Sequence, residues 1–300
     1  MRTATALTAS AATDTGLLRD SNEDRYWLDA ERGVFLVVDG VGGQAAGEFA
    51  AETAVAAIRE TIGAAGPPET RVRQAIAHAN NRIYELAQVE DSRRGMACVL
   101  TLAVLEEEEI TIGHVGDSRL YLIWNGTIRK LTTDHSPVGE EEDSGALSEL
   151  EAMAHPRRNE VFRDVGSFPR SASDLGFIEL RHCRFRSDAA ILLCSDGLTD
   201  NLTSAQVREI AERYDGDAAS VATALVEAAN AAGGRDNITA LFVAGPEFRT
   251  HGTALTGVTR PRFSTTQLRR GAGLFTGRAA FLLYGVLLGM LVWAALRFKG

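Results

Sequence analysis

Apolar residues come in short runs along the first 245 residues, separated by polar or glycine-marked turns. Runs at residues 26–28, 34–38, 98–105, 110–115, 120–124, 177–180, 190–194 and 238–243 predict strands. Helical spacing predicts helices over 46–62, 69–87, 204–214 and 217–231. In the last of these Val221, Leu225, Val226 and Ala229 share one face, and Asp217 stands where an N-cap belongs. Asn125-Gly126 marks a hairpin, and the acidic run from Glu106 to Glu109 suits a solvated hairpin tip. Strands joined by tight turns and covered by helices make an α+β layered sandwich.

One later run breaks this texture. Residues 279–296 carry no charge, which as a helix is about 27 Å, near the thickness of a bilayer's hydrocarbon core. Arg260, Arg262, Arg269, Arg270 and Arg278 precede it, against Arg297 and Lys299 after it. The sequence therefore predicts three parts: a domain over residues 1–245, a linker over 246–277 and a transmembrane anchor over 278–300. The charge asymmetry puts the domain on the cytoplasmic side of a single-pass membrane protein.

The chain of 300 residues has a formal net charge of −9, and its first 245 residues show no basic run, which argues against nucleic acid as the main partner. Cys98, Cys183 and Cys194 lack the paired spacing of a zinc or redox site and read as reduced thiols.

The candidate chemistry lies in aspartates at strand ends beside glycine. Asp39-Gly40 follows the apolar run 35–38, Asp117 follows Gly116 between two strands, Asp196 closes a strand and Asp236 opens one. Glu23 and Asp24 stand near the start, after Arg19. Each alone is a common turn residue. Gathered in space, they would repel one another unless cations neutralised them. An all-oxygen set points to Mg²⁺ or Mn²⁺ rather than zinc. Two such ions sharing Asp39 would suit hydrolysis at phosphorus, with Arg19 either clamping phosphate or bridging to an acidic neighbour.

Several segments, in order, resemble the metal-dependent serine/threonine protein phosphatases of type 2C, in their bacterial form. They include Asn22-Glu23-Asp24-Arg25, Val38-Asp39-Gly40-Val41-Gly42-Gly43, Val115-Gly116-Asp117-Ser118-Arg119, Asp134-His135-Ser136, Cys194-Ser195-Asp196-Gly197 and Asp236-Asn237-Ile238-Thr239. The resemblance implies a four-layer α-β-β-α sandwich of two mostly antiparallel sheets with a two-metal centre at one edge. It implies that Asp39 bridges both Mn²⁺ or Mg²⁺ ions, that the Gly40 carbonyl binds one, and that Asp196 and Asp236 complete the other's shell. Glu23 would act through water, Asp117 would hold a third, weaker ion, and Arg19 would bind phosphate. Asp24 and Asn237 would support the ligands from behind. Residues 136–155 match a flexible flap beside the site. Phosphorylated proteins would be the substrates, and a serine/threonine kinase the opposing partner.

Three departures stand out. Val41 replaces a histidine that some relatives use as a proton donor, Ala97-Cys98 replaces small and hydroxyl residues, and Asp164 stands where relatives commonly have alanine. The competing reading is a non-catalytic, phosphatase-like binding or regulatory module at the membrane. The intact acids weigh against it.

Overall fold

A computed structural model describes residues 7–42 and 44–249 of the chain. Among the described residues ten strands are arranged as two five-stranded antiparallel sheets. They are β1 (Thr8–Asp14), β2 (Arg25–Asp29), β3 (Val34–Val41), β4 (Ala97–Glu106), β5 (Glu109–Val115), β6 (Arg119–Trp124), β7 (Thr127–Lys130), β8 (Glu179–Arg184), β9 (Ala190–Cys194) and β10 (Ile238–Ala244). One sheet has the order β1-β10-β9-β6-β7 and the other β2-β3-β4-β5-β8. The helices are α1 (Gln44–Thr61), α2 (Pro68–Ala87), α3 (Pro137–Asp143), α4 (Glu149–Met153), α5 (Asp196–Thr199), α6 (Ser204–Ala211) and α7 (Ala218–Ala231).

Three cores separate four layers. Leu36, Val38, Leu100 and Leu102 pack on α1 and α2. Phe35, Val37, Ile112, Ile191, Leu193 and Leu241 fill the space between the sheets. Leu192, Ala240 and Phe242 pack on α6 and α7. Because strand side chains alternate, the unbroken run Phe35–Val38 is explained by burial on both faces. The same alternation puts Asp39 on the face of Phe35 and Val37, at the end of the inter-sheet layer.

Local signals acted as expected. Asn125 and Gly126 both take positive φ, 51° and 70°, and join β6 to β7 in register. Asp217 caps α7, accepting from the amides of Ala219 at 2.9 Å and Ser220 at 3.2 Å. The structure also differs from the sequence pattern. β1, of sequence TASAATD, and β7 lack a clear apolar run, and the run at 177–180 is mostly a buried lead-in to the more polar β8. All three are edge strands, whose outer side makes little demand for apolar residues. Helix α6 ends at Ala211 rather than 214, where Tyr214 turns inward against Phe242 and Phe248. Phe248 is buried, so packing continues three residues beyond the boundary expected at 245.

Among the described residues no helix is long and apolar enough to cross a membrane. The anchor expected over 278–300 and nearly all of the linker expected over 246–277 lie outside the described residues.

Candidate metal centre and active site

The segment entering β2 and the ends of β3, β5, β9 and β10 supply the acids. Asp39 is partly buried, and burial pushes its carboxyl well above the usual range. The next four influences are the charges of Asp24, Asp196, Asp117 and Asp236, all of which raise it further. Asp196 is likewise pushed well up by burial and then by Asp117, Asp200, Asp236 and Asp24. Burial, with Asp134 and Asp200, raises Asp117 to about 7, and burial raises Asp24 to about 6. Glu23, also buried, is raised by desolvation against the pull of Arg19. Carboxylates separated by up to about two hundred positions thus act on one another in one small volume.

Two of their oxygens have no hydrogen-bond partner among the described residues. Asp24 Oδ1 and Asp196 Oδ1 are buried and accept no hydrogen bond. A buried carboxylate oxygen without a donor is costly, and the acids that face it rule out a neighbouring acid as its counterion. This donor set, oxygen-only and short of positive charge, fits hard divalent cations.

The supporting contacts are specific. Asn237 accepts from the Glu23 amide at 2.8 Å and donates to the carbonyls of Thr15 at 2.9 Å and Ser21 at 2.8 Å. One side chain therefore ties the segment bearing Arg19 and Glu23 to β10. Ser195 donates to Asp24 Oδ2 at 2.6 Å and accepts from the Thr239 amide at 2.9 Å, which fixes Asp24 against β9 and β10. Arg19 Nη2 sits 2.6 Å from Asp236 Oδ2, so its partner is a distant site acid and not a neighbour in sequence. The Arg19 side chain remains 47% exposed, leaving its other donors accessible from solvent.

Gly47 of α1 is a contributor that sequence reasoning passed over. A Cβ there would run into the Glu23 carboxylate, and one on Gly40 would run into the Gly47 carbonyl. Helix, strand end and carboxylate approach closely because both residues are glycine. The other unforeseen group is a pair of buried histidines behind Asp117. Gly116 accepts from the His135 amide at 2.7 Å and lies 2.9 Å from His114 Nε2, while its own N–H donates to His135 Nδ1 at 3.0 Å. Its φ of 110° requires glycine, so the turn that presents Asp117 is clamped on both sides. His114, His135 and Glu179 bring one ligand atom each within 4.8 Å of one another. Glu179 already receives Thr133 N at 3.0 Å and Arg181 Nε at 2.6 Å, and the histidine nitrogens are engaged at Gly116, Thr101 and Arg163. Only their spacing in the fold makes them a group; no sequence motif joins them.

The flap expected over 136–155 is helical and tied down. Ser136 caps α3, and Ser148 with Glu151 forms a capping box on α4. Arg119 reaches Glu142 at 2.7 Å, Lys130 reaches Asp143 at 2.7 Å, and beyond the flap Arg158 reaches Asp200 at 2.5 Å. Asp164 is half-buried and accepts from the Ser167 amide at 3.1 Å, a turn role. Val41 is 41% exposed beside Asp39. Cys98 and Cys194 are buried, and burial raises the Cys194 thiol to about 12, which suits a structural residue.

Residues 15–240 match the family model described as protein phosphatase 2C. The serine/threonine phosphatase stp of Listeria monocytogenes is 35% identical over 246 residues, spanning 78% of this chain and 94% of that protein. Protein phosphatase PhpP of Streptococcus pneumoniae is 34% identical over 242 residues, 78% of this chain and 96% of its own. Among solved structures, the Mycobacterium tuberculosis serine/threonine phosphatase PstP/Ppp superposes with a TM-score of 0.71 at 29% identity, covering 79% of this chain and 98% of that one. The catalytic domain of PstP in complex with two manganese ions superposes with a TM-score of 0.69 at 28% identity, covering 79% and 97%. With the acids converging as they do in a two-sheet sandwich, the chain belongs to the protein phosphatase 2C family, the metal-dependent serine/threonine protein phosphatases.

Proposed function

We propose that the chain removes phosphate from phosphoserine and phosphothreonine in proteins at this acid centre, using two Mn²⁺ or Mg²⁺ ions. Asp39, the Gly40 carbonyl, Asp196 and Asp236 would hold them, with Glu23 acting through water and Asp117 holding a third, weaker ion. When bound, the ions supply the positive charge that acidifies water and offsets charge building on phosphorus. Arg19 presents a planar fork to phosphate, and its bond to Asp236 holds that fork over the acids. Asn237 and Ser195 keep Glu23 and Asp24 in place, so little reorganisation is needed when substrate arrives. Val41 has no proton to give, and its exposure leaves the departing serine oxygen to water.

The observation that carries the reading is the set of buried, mutually repelling carboxylates with two oxygens that no donor among the described residues reaches. Calorimetry of the full chain with Mn²⁺, run beside phosphate release from a phosphoserine peptide, tests it. Binding and release that are both lost in Asp39→Asn are expected; release that is equal in Asp39→Asn overturns it. A silent regulatory module would bind Mn²⁺ without releasing phosphate.

The same proposal includes the anchor over 278–300, supported by its uncharged length and the arginines before it, with the domain facing the cytoplasm and a serine/threonine kinase opposing it. A fluorescent fusion cut before residue 279 should leave the membrane. Retention there would sink that part.

A further inference from the structure

On a chain with a net charge of −9, one cleft is lined mainly by basic side chains. It has a volume of about 430 Å³ and opens between β7 and β8, with Arg129, Lys130, Arg181 and His182 on its walls and Asp143 as the acid among its lining side chains. These cations are scattered over fifty positions, which is why no basic run marks them in the sequence. Lys130 is held by Asp143 and Asp134, Arg181 by Glu179, and His182 lies 3.7 Å from Glu69. Arg129 is exposed and has no acidic partner among the described residues.

The backbone adds a second feature. β7 pairs with β6 and β8 with β5, each at the outer edge of its sheet, so each leaves one row of N–H and C=O groups unpaired. An extended segment can satisfy such an edge, and its side chains then meet whatever lines the groove. Here they would meet arginine and lysine. A buried link runs from the cleft toward the acid centre: its lining residue Thr133 offers its carbonyl to His114 Nε2 at 3.1 Å, and the same nitrogen lies 2.9 Å from the Gly116 carbonyl before Asp117.

We propose that this cleft docks an extended acidic segment of the protein substrate. The chain's own segments outside the described residues do not fit, because residues 1–6 and 250–300 contain no Asp or Glu. The proposal rests on the phosphatase reading, and its test separates the two.

The full chain with Mn²⁺ is assayed on three substrates: a phosphoserine peptide with a glutamate-rich flank, the same peptide with a glutamine flank, and p-nitrophenyl phosphate. Wild type is expected to have a lower KM for the acidic peptide, and the variant Arg129→Glu, at a cation that makes no contact with the acid centre, to raise that KM at least threefold. Its kcat and its action on the other two substrates should be unchanged. Equal KM for both peptides in wild type, or equal loss on all substrates in the variant, overturns docking while leaving the phosphatase reading intact. A readout independent of turnover comes from Cys183, a free thiol on the cleft wall. An unphosphorylated glutamate-rich peptide should slow its alkylation by iodoacetamide, with buried Cys98 and Cys194 as references. No protection overturns the site. Absence of all phosphatase activity would sink the phosphatase reading and leave Cys183 protection to decide whether the cleft binds.

Discussion

Two groups of buried carboxylates lie side by side in this protein, and their charges are treated in opposite ways. Burial pushes Asp134 upward, but Arg119 and Lys130 outweigh it and hold that acid below the usual range. Arg119 grips it at 2.6 Å, and Glu142 at 2.7 Å on the same guanidinium. At the end of the sandwich, Asp39 and Asp196 are surrounded by further acids and rise well above the usual range. The first group is complete as protein and fastens the flap. The second is left without positive charge by its neighbours, the charge balance that the proposed function fills with cations. Burial alone distinguishes nothing; the neighbouring charge does.

The largest break in that contrast should come from Asp39→Asn. Removing this charge should lower phosphate release by about three orders of magnitude or more, roughly 4 kcal/mol of barrier, without lowering the melting temperature measured in chelator. A loss of less than tenfold would show that Asp39 is not central. On the other side, Arg119→Leu strands two buried acids and should cost about 3–5 kcal/mol in urea unfolding. A cost under 1 kcal/mol would mean that the flap pairs are merely superficial.

Metal and pH sharpen the comparison further. Asp24 and Asp117 titrate at about 6 and about 7 in the fold, above the ordinary 3.8. Between pH 4 and 7 the metal-free fold therefore holds more protons than the unfolded chain, and these groups lower its stability as the pH rises. Mn²⁺ favours the deprotonated acids, so the gap in stability between Mn²⁺ and chelator should widen over that window. It should reach about 2.7 kcal/mol at a hundredfold excess over Kd. A gap in melting temperature that is constant with pH would contradict it. The smallest effect should come from Asn237→Ala, which frees the segment bearing Glu23 and should weaken Mn²⁺ binding about tenfold by calorimetry. Unchanged affinity would assign Asn237 to folding alone.

Much of this architecture is legible before folding. Long apolar runs and helix periodicity mark β3 to β6, β9, β10 and the four long helices, because burial on one or both faces leaves a periodic trace. β1, β7 and the true extent of β8 leave a weaker trace, since edge strands carry polar residues on their outer side. The helices α3 and α4 are too short to nucleate alone, and neighbours such as Arg119, Lys130 and Ser204 hold them. The acids were visible singly, as aspartates beside glycine. Their mutual repulsion was not.

By itself, then, the order of residues determined which segments pair and bury, and which acids end up at strand ends, because hydrophobic period and turn chemistry are local properties. Only the tertiary structure decided which acids face one another without a cation and which have Arg119 between them. It also decided that Gly47 clears space for Glu23 and that scattered arginines line one cleft. Those outcomes depend on distance and dielectric between residues far apart in sequence, which no local pattern encodes.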